Sequence, residues 1–192
     1  MVKTTVKRVL RTLQHAPDRA AHALRRQQVA RRWRGRVPSS VLFVCHGNIC
    51  RSPFAAFLFA RLATERLPGR IDTLSAGFIG PGRGSPPQAL AASERRDIDL
   101  TSHRSRLLTD RLIRKAELVI VMSAEQERAI RRLAGQNVIV LGDLDPESIR
   151  ERTIMDPWGG SDDDFDASYA RIERCVRELV RLLADDNSGS AD

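Results

Sequence analysis

No run of this chain is apolar for long enough to span a bilayer, and no segment has the apolar core of a secretion signal. A cytoplasmic protein is therefore expected. Cysteine occurs only at positions 45, 50 and 175, too seldom for a disulfide scaffold. The four histidines are scattered, and no Cys/His spacing matches a zinc site. There is also no Gly-Lys-Ser/Thr nucleotide loop, so no metal or other cofactor is expected. Acidic residues are nearly missing from the first 40 positions, which hold Asp18 alone against eleven Lys/Arg, a net charge of +10. The remaining residues sum to −2, so the high pI belongs to one segment. Within that segment only Trp33 could stack on a base, which makes nucleic acid an unexpected partner despite the charge.

Apolar strands alternate with helical patterns along the rest of the chain. Strands are expected over 40–44, 71–74, 117–122 and 137–141, and helices over 53–66, 88–96, 124–133 and 164–183. Strands of continuous apolar residues between helices imply an α/β fold, a single-domain open parallel four-stranded sheet with helices on both faces. Ligands in such sheets bind beyond the C-terminal ends of the strands. The divisions expected are a basic N-terminal extension, 1–39, a catalytic domain, 40–185, and a polar tail, 186–192. In the extension, Val2, Val6, Val9, Leu10 and Leu13 fall on one helical face, and a second helix can begin after Pro17-Asp18. Three readings fit it: a solvated or disordered arm, a basic amphipathic helix for an anionic membrane surface or an acidic partner, or an Arg-rich transit segment. The second would make the protein membrane-associated.

One string concentrates the chemistry. Val41-Leu42-Phe43-Val44 delivers Cys45 into the polar loop His46-Gly47-Asn48-Ile49-Cys50-Arg51, and Ser52-Pro53 then opens a helix. Phosphate transfer to a thiol needs a thiolate near neutral pH and a dense set of donors for the phosphate oxygens. A free cysteine is mostly protonated there, but a helix-opening loop of N–H groups favours the thiolate. Successive N–H groups of His46, Gly47, Asn48, Ile49, Cys50 and Arg51 can curl around three phosphate oxygens. Gly47 permits the curl, and Asn48 tolerates left-handed angles. Arg51 offers a planar fork for two oxygens, and Ser52 can donate to the Cys45 sulfur. Taken singly these residues have plainer uses: a small buried cysteine, a Ser-Pro helix start, a Gly-Asn turn. The whole string, after a strand and before an apolar helix, goes beyond them.

A thiol-phosphate route also needs a carboxyl to protonate the leaving oxygen and later to activate water. Asp156, in Ile154-Met155-Asp156-Pro157-Trp158, is the candidate. Asp-Pro is a common turn dipeptide, and Asp145-Pro146 is a second copy, read as a structural loop.

The string Val-Cys-x-Gly-Asn-Ile-Cys-Arg-Ser-Pro resembles the low-molecular-weight protein tyrosine phosphatases, from about Val41 through essentially the rest of the chain. The resemblance implies a phosphocysteine enzyme with Cys45 as nucleophile, Arg51 and the loop N–H groups on phosphate, and Asp156 as general acid and base. It also implies that Ser75 and His103 join Asn48 in a network behind the loop, that Cys50 can form a protective disulfide with Cys45, and that the substrate is a phosphotyrosine protein such as a bacterial tyrosine kinase. The pattern departs at several places. His46 stands where an aliphatic residue is common, Ser123 where an aspartate is common, and Trp158 where tyrosine is usual. The segment Gly80-Pro81-Gly82-Arg83-Gly84 lacks the aromatic that often sandwiches the phosphotyrosine ring, leaving Phe78 with Trp158 as the expected pocket walls. Arg83 can instead attract an acidic flank of a phosphopeptide, or be a solvated loop charge. Thiol-dependent arsenate reductases share the scaffold, but they lack the Asp-Pro acid loop and relay through cysteines near the site, whereas Cys175 lies on a remote helical pattern. A non-catalytic phosphotyrosine-binding module is the remaining alternative.

Overall fold

The computed structural model describes residues 16–134, 137–147, 149 and 151–185. The stripe expected over Val2, Val6, Val9, Leu10 and Leu13 and the tail 186–192 lie outside the described residues.

Four parallel strands form the sheet: β1 (Ser40–Cys45), β2 (Asp72–Gly77), β3 (Leu118–Val121) and β4 (Val138–Val140), in the order β2-β1-β3-β4. Side chains alternate across each strand, and both faces are apolar. Val41, Phe43 and Cys45 of β1, with Leu118 and Ile120 of β3, point into one buried cluster. Leu42, Val44, Val119 and Val121 point into the other.

The first cluster is covered by α1 (Ala16–Trp33), α2 (Arg51–Arg66), α3 (Pro87–Glu94) and α6 (Asp162–Ala184). In α6, Phe165, Tyr169, Ile172, Val176, Leu179 and Leu183 recur at helical spacing and are all buried. Its start is fixed by a capping box. The Ser161 hydroxyl accepts from Asp164 N at 3.3 Å, and the Asp164 carboxylate accepts from Ser161 N at 2.8 Å. Asp162, Asp163 and Asp164 put negative charge at the positive end of the helix.

The other face carries α4 (Asp110–Lys115) and α5 (Ala124–Ala134), with Ile113 and Ile130 in the second cluster. Helix α4 is absent from the sequence reading. Its six residues are too few for an apolar period to show, and its clearest signal is the Thr109 cap, which accepts from Leu112 N at 3.3 Å.

Helix α1 packs against the domain. Trp33 and Val29 are buried in the first cluster, and Gly35 N donates to Leu182 O at 3.1 Å. Among the described residues no helix is long and apolar enough to cross a membrane.

Candidate active site

Strand β1 ends at Cys45 in the centre of the sheet, and α2 begins six residues later at Arg51. The intervening loop turns back on the cysteine. Asn48 N donates to Cys45 Sγ at 3.2 Å, and Ser52 Oγ donates to the same sulfur at 3.1 Å. Two donors aimed at one sulfur stabilise negative charge on it. The left-handed residue of this turn is Asn48, at φ 50°, whereas Gly47 has no positive φ. What Gly47 supplies is room, because a Cβ there would lie 3.2 Å from Arg83 Nη2.

Asn48 is buried and anchors the loop from behind. Its side-chain amide donates to Ser75 Oγ and to Ser52 Oγ, both at 2.9 Å. Its Oδ1 accepts from Arg106 N at 2.7 Å. His103 Nε2 lies 2.7 Å from the Asn48 backbone carbonyl, so the proton sits on Nε2. The histidine therefore meets the backbone of Asn48, not its side chain. Burial is the main cause that holds His103 below the usual imidazole range, ahead of the nearby Arg104 and Arg106 charges.

Arg51 is buried at the start of α2. Its Nη1 donates to Ile154 O at 3.0 Å, and its Nη2 meets the Asp156 carboxylate. Its Nε is buried without a hydrogen-bond partner among the described residues. An orphaned donor on a buried cation is rare and marks a place where an anion fits. Asp156 itself is partly exposed, and its Oδ1 accepts from Trp158 N at 3.3 Å.

Cys45 and Asp156 border a pocket of about 180 Å3, with Arg51 buried behind its lining. Cys45, Cys50 and the loop residues His46, Gly47 and Ile49 form its floor and lower wall, and Asp156, Trp158, Ile79 and Arg83 form its rim. Trp158 stands exposed at the mouth. Phe78, expected as the second wall, packs instead against the second core cluster. The strand period is the reason: Leu74, Ala76 and Phe78 alternate onto one face, which leaves Ile79 to turn toward the pocket. That register was available in the sequence. Arg83 donates through Nη2 to Gly47 O at 2.9 Å, which holds its guanidinium beside the loop.

Cys50 and Cys175 are free thiols, as is Cys45. Burial and the charges of Cys45 and Asp156 push the Cys50 thiol up to about 12. Burial also pushes Cys175 up, in the first core cluster. One anchor escaped the sequence reading. Tyr169 of α6 stacks on Phe54 with ring centroids 4.1 Å apart, and its hydroxyl donates to Cys50 O at 3.1 Å. The chain's single tyrosine, a hydroxyl-bearing ring in an otherwise apolar stripe, is the signal that marks it.

The family model for low molecular weight phosphotyrosine protein phosphatases matches residues 40–188. A low molecular weight phosphotyrosine protein phosphatase of Sus scrofa is 32% identical over 156 residues, spanning 77% of this chain and 97% of that protein. A protein-arginine-phosphatase of Bacillus subtilis is 33% identical over 150 residues, spanning 76% and 97%. The crystal structure of the tyrosine phosphatase Wzb from Escherichia coli K30 in complex with sulphate superposes with a TM-score of 0.68 at 27% identity, covering 77% of this chain and 99% of that one. With the matched span beginning at the first residue of β1 and running through α6, the chain belongs to the low molecular weight phosphotyrosine protein phosphatase family.

Proposed function

We propose that the protein hydrolyses phosphotyrosine on protein substrates through a phosphocysteine on Cys45. The observation that carries this reading is the juxtaposition of a doubly hydrogen-bonded cysteine sulfur with a buried arginine whose Nε has no partner among the described residues. Cys45 attacks phosphorus in line, and the equatorial oxygens take the loop N–H groups and Arg51 Nε. Phosphate draws the guanidinium away from Asp156, which frees that carboxyl to protonate the leaving oxygen. The S–P bond is then broken by a water that Asp156 deprotonates, and phosphate leaves. Ser52 donates to the departing thiolate.

Phosphotyrosine on a protein, for example on a bacterial tyrosine kinase, fits the rim better than phosphoarginine does. Ile49, Ile79 and Trp158 offer apolar surface to an aryl ring, and Arg83 puts a positive charge beside the place where a substrate guanidinium would lie. The Bacillus relative named a protein-arginine-phosphatase keeps phosphoarginine as the second reading.

The test is hydrolysis of p-nitrophenyl phosphate in chelator by the wild type, Cys45→Ser and Asp156→Ala, followed by kcat/KM on phosphotyrosine and phosphoarginine peptides of one sequence. Turnover that survives Cys45→Ser removes the nucleophile, and a preference for phosphoarginine removes the substrate assignment.

A further inference from the structure

The acid loop is held at its base by a network that includes two residues outside the matched family span, His22 and Arg25. After β4 the chain makes a tight turn, Leu141–Leu144, and then runs through 145–153 to Ile154, Met155 and Asp156. Asp143 on this turn is buried, and its carboxylate is shared. Arg25 of α1 donates Nε to Oδ1 at 3.0 Å, and Arg152 of the acid loop donates Nη2 to Oδ2 at 2.6 Å and Nε to Oδ1 at 2.9 Å. Arg152 also pairs with Glu127 of α5 at 3.0 Å. The turn and the loop touch directly as well, since a Cβ on Gly142 would lie 2.0 Å from Arg152 O.

A parallel set of contacts runs through Asp145. His22 of α1 donates Nε2 to the Asp145 carbonyl at 3.0 Å. The fully buried Asp145 carboxylate takes Arg171 and Arg174 from α6, at 3.0 Å and 2.7 Å. Arg171 also donates to Thr153 O at 2.8 Å and to Glu151 O at 2.6 Å. Residues 151–153 are thus gripped just before the chain is pinned by Ile154, whose N donates to Met122 O at 2.9 Å and whose O accepts from Arg51. Asp156 lies two residues beyond that pin.

We propose that α1 is a strut for the acid loop, and that Arg25 is a positioning residue for Asp156. This rests on the phosphatase reading above. Among the described residues Arg25 reaches the loop through Asp143, whose second partner is Arg152 itself. Arg152 already grips the Asp143 carboxylate through two nitrogens, so without Arg25 that carboxylate loses its anchor to α1, and the Asp143–Arg152 pair is free to shift as a unit with the base of the loop. An acid displaced by an ångström loses most of its advantage. Helix α1 thereby belongs to the catalytic unit.

The experiment uses the full chain with Arg25→Met, which keeps the aliphatic stem, and Arg25→Lys, which keeps the charge. The readout is kcat/KM on p-nitrophenyl phosphate, a good leaving group, and on phenyl phosphate, a poor one that needs the acid. Arg25→Met is expected to lose about tenfold on phenyl phosphate and under about threefold on p-nitrophenyl phosphate, with Arg25→Lys between it and the wild type. Thermal melting is followed alongside. An unchanged ratio between the two substrates, whether both rates hold or both fall together with the melting temperature, overturns the strut. A wild type inactive on both substrates sinks the phosphatase reading itself, and the strut with it.

Discussion

Arg51 and Asp156, the proposed phosphate ligand and the proposed acid, are bonded to each other, through Nη2 and the carboxylate. Each therefore competes with the other's task. Asp156→Ala removes the acid and also the competitor for the guanidinium. Turnover is expected to fall by roughly 10² to 10⁴, while vanadate or inorganic phosphate should inhibit the variant more tightly than the wild type. The gain is modest because Asp156 is partly exposed, about fivefold for ~1 kcal/mol. An inhibition constant that weakens in Asp156→Ala contradicts the competition.

The three thiols differ enough to be told apart by alkylation. Cys50 is pushed up to about 12 and Cys175 is pushed up by burial, whereas Cys45 borders the pocket with two donors on its sulfur. Iodoacetate near neutral pH is expected to add one carboxymethyl group per chain, at Cys45, with activity lost in proportion. Intact-mass spectrometry followed by peptide mapping checks this. In Cys45→Ser the label should be absent and turnover lower by on the order of 10⁴ or more.

Asp145 is a stability prediction. Its carboxylate has no exposed surface and sits between Arg171 and Arg174. Replacing it by Asn leaves two partly buried cations facing a neutral amide, a loss of roughly 3 kcal/mol. Urea denaturation should show a lower midpoint with an unchanged slope. A loss well below 1 kcal/mol would mean the pair contributes little.

His103 gives the pH dependence a sign. It is held neutral, below the usual imidazole range, by burial, and its Nε2–H is committed to Asn48 O. In the unfolded chain it protonates near 6.5, so below that pH the unfolded state binds more protons than the folded one. Its stabilising contribution is complete above about 6.5 and is lost as pH falls toward the depressed folded value. Denaturation between pH 7.5 and 5 should therefore show stability falling with acid, with a shallower slope in His103→Gln.

The parts of the site carried by consecutive residues were readable in advance. Cys45 to Pro53 is one local string, and a strand, a loop and a helix start leave few alternatives for where its groups go. Strands β1, β3 and β4 were readable for the same reason, since they are apolar runs buried on both faces, whereas β2, with Asp72, Thr73 and Ser75, is a half-polar edge strand and its bounds were less legible. Contacts that join distant segments were not readable. Nothing in the sequence ties Arg25 to Asp143 or Tyr169 to Cys50, because a long side chain on a helix chooses its partner only once that helix is packed. The exchange of Phe78 for Ile79 in the pocket is an intermediate case, decided by strand register and recoverable from the alternation of Leu74 and Ala76.

The groove between α1 and α6 is lined by Leu24, Ala30, Leu144 and Leu182, with Arg26 and Glu178 at its edge. The groove borders a helix that precedes the matched family span, yet sits over the turn that carries Asp143. On the proposed coupling, a small molecule wedged beneath α1 would pry on the acid from behind, a route to inhibition that leaves the pocket itself unoccupied.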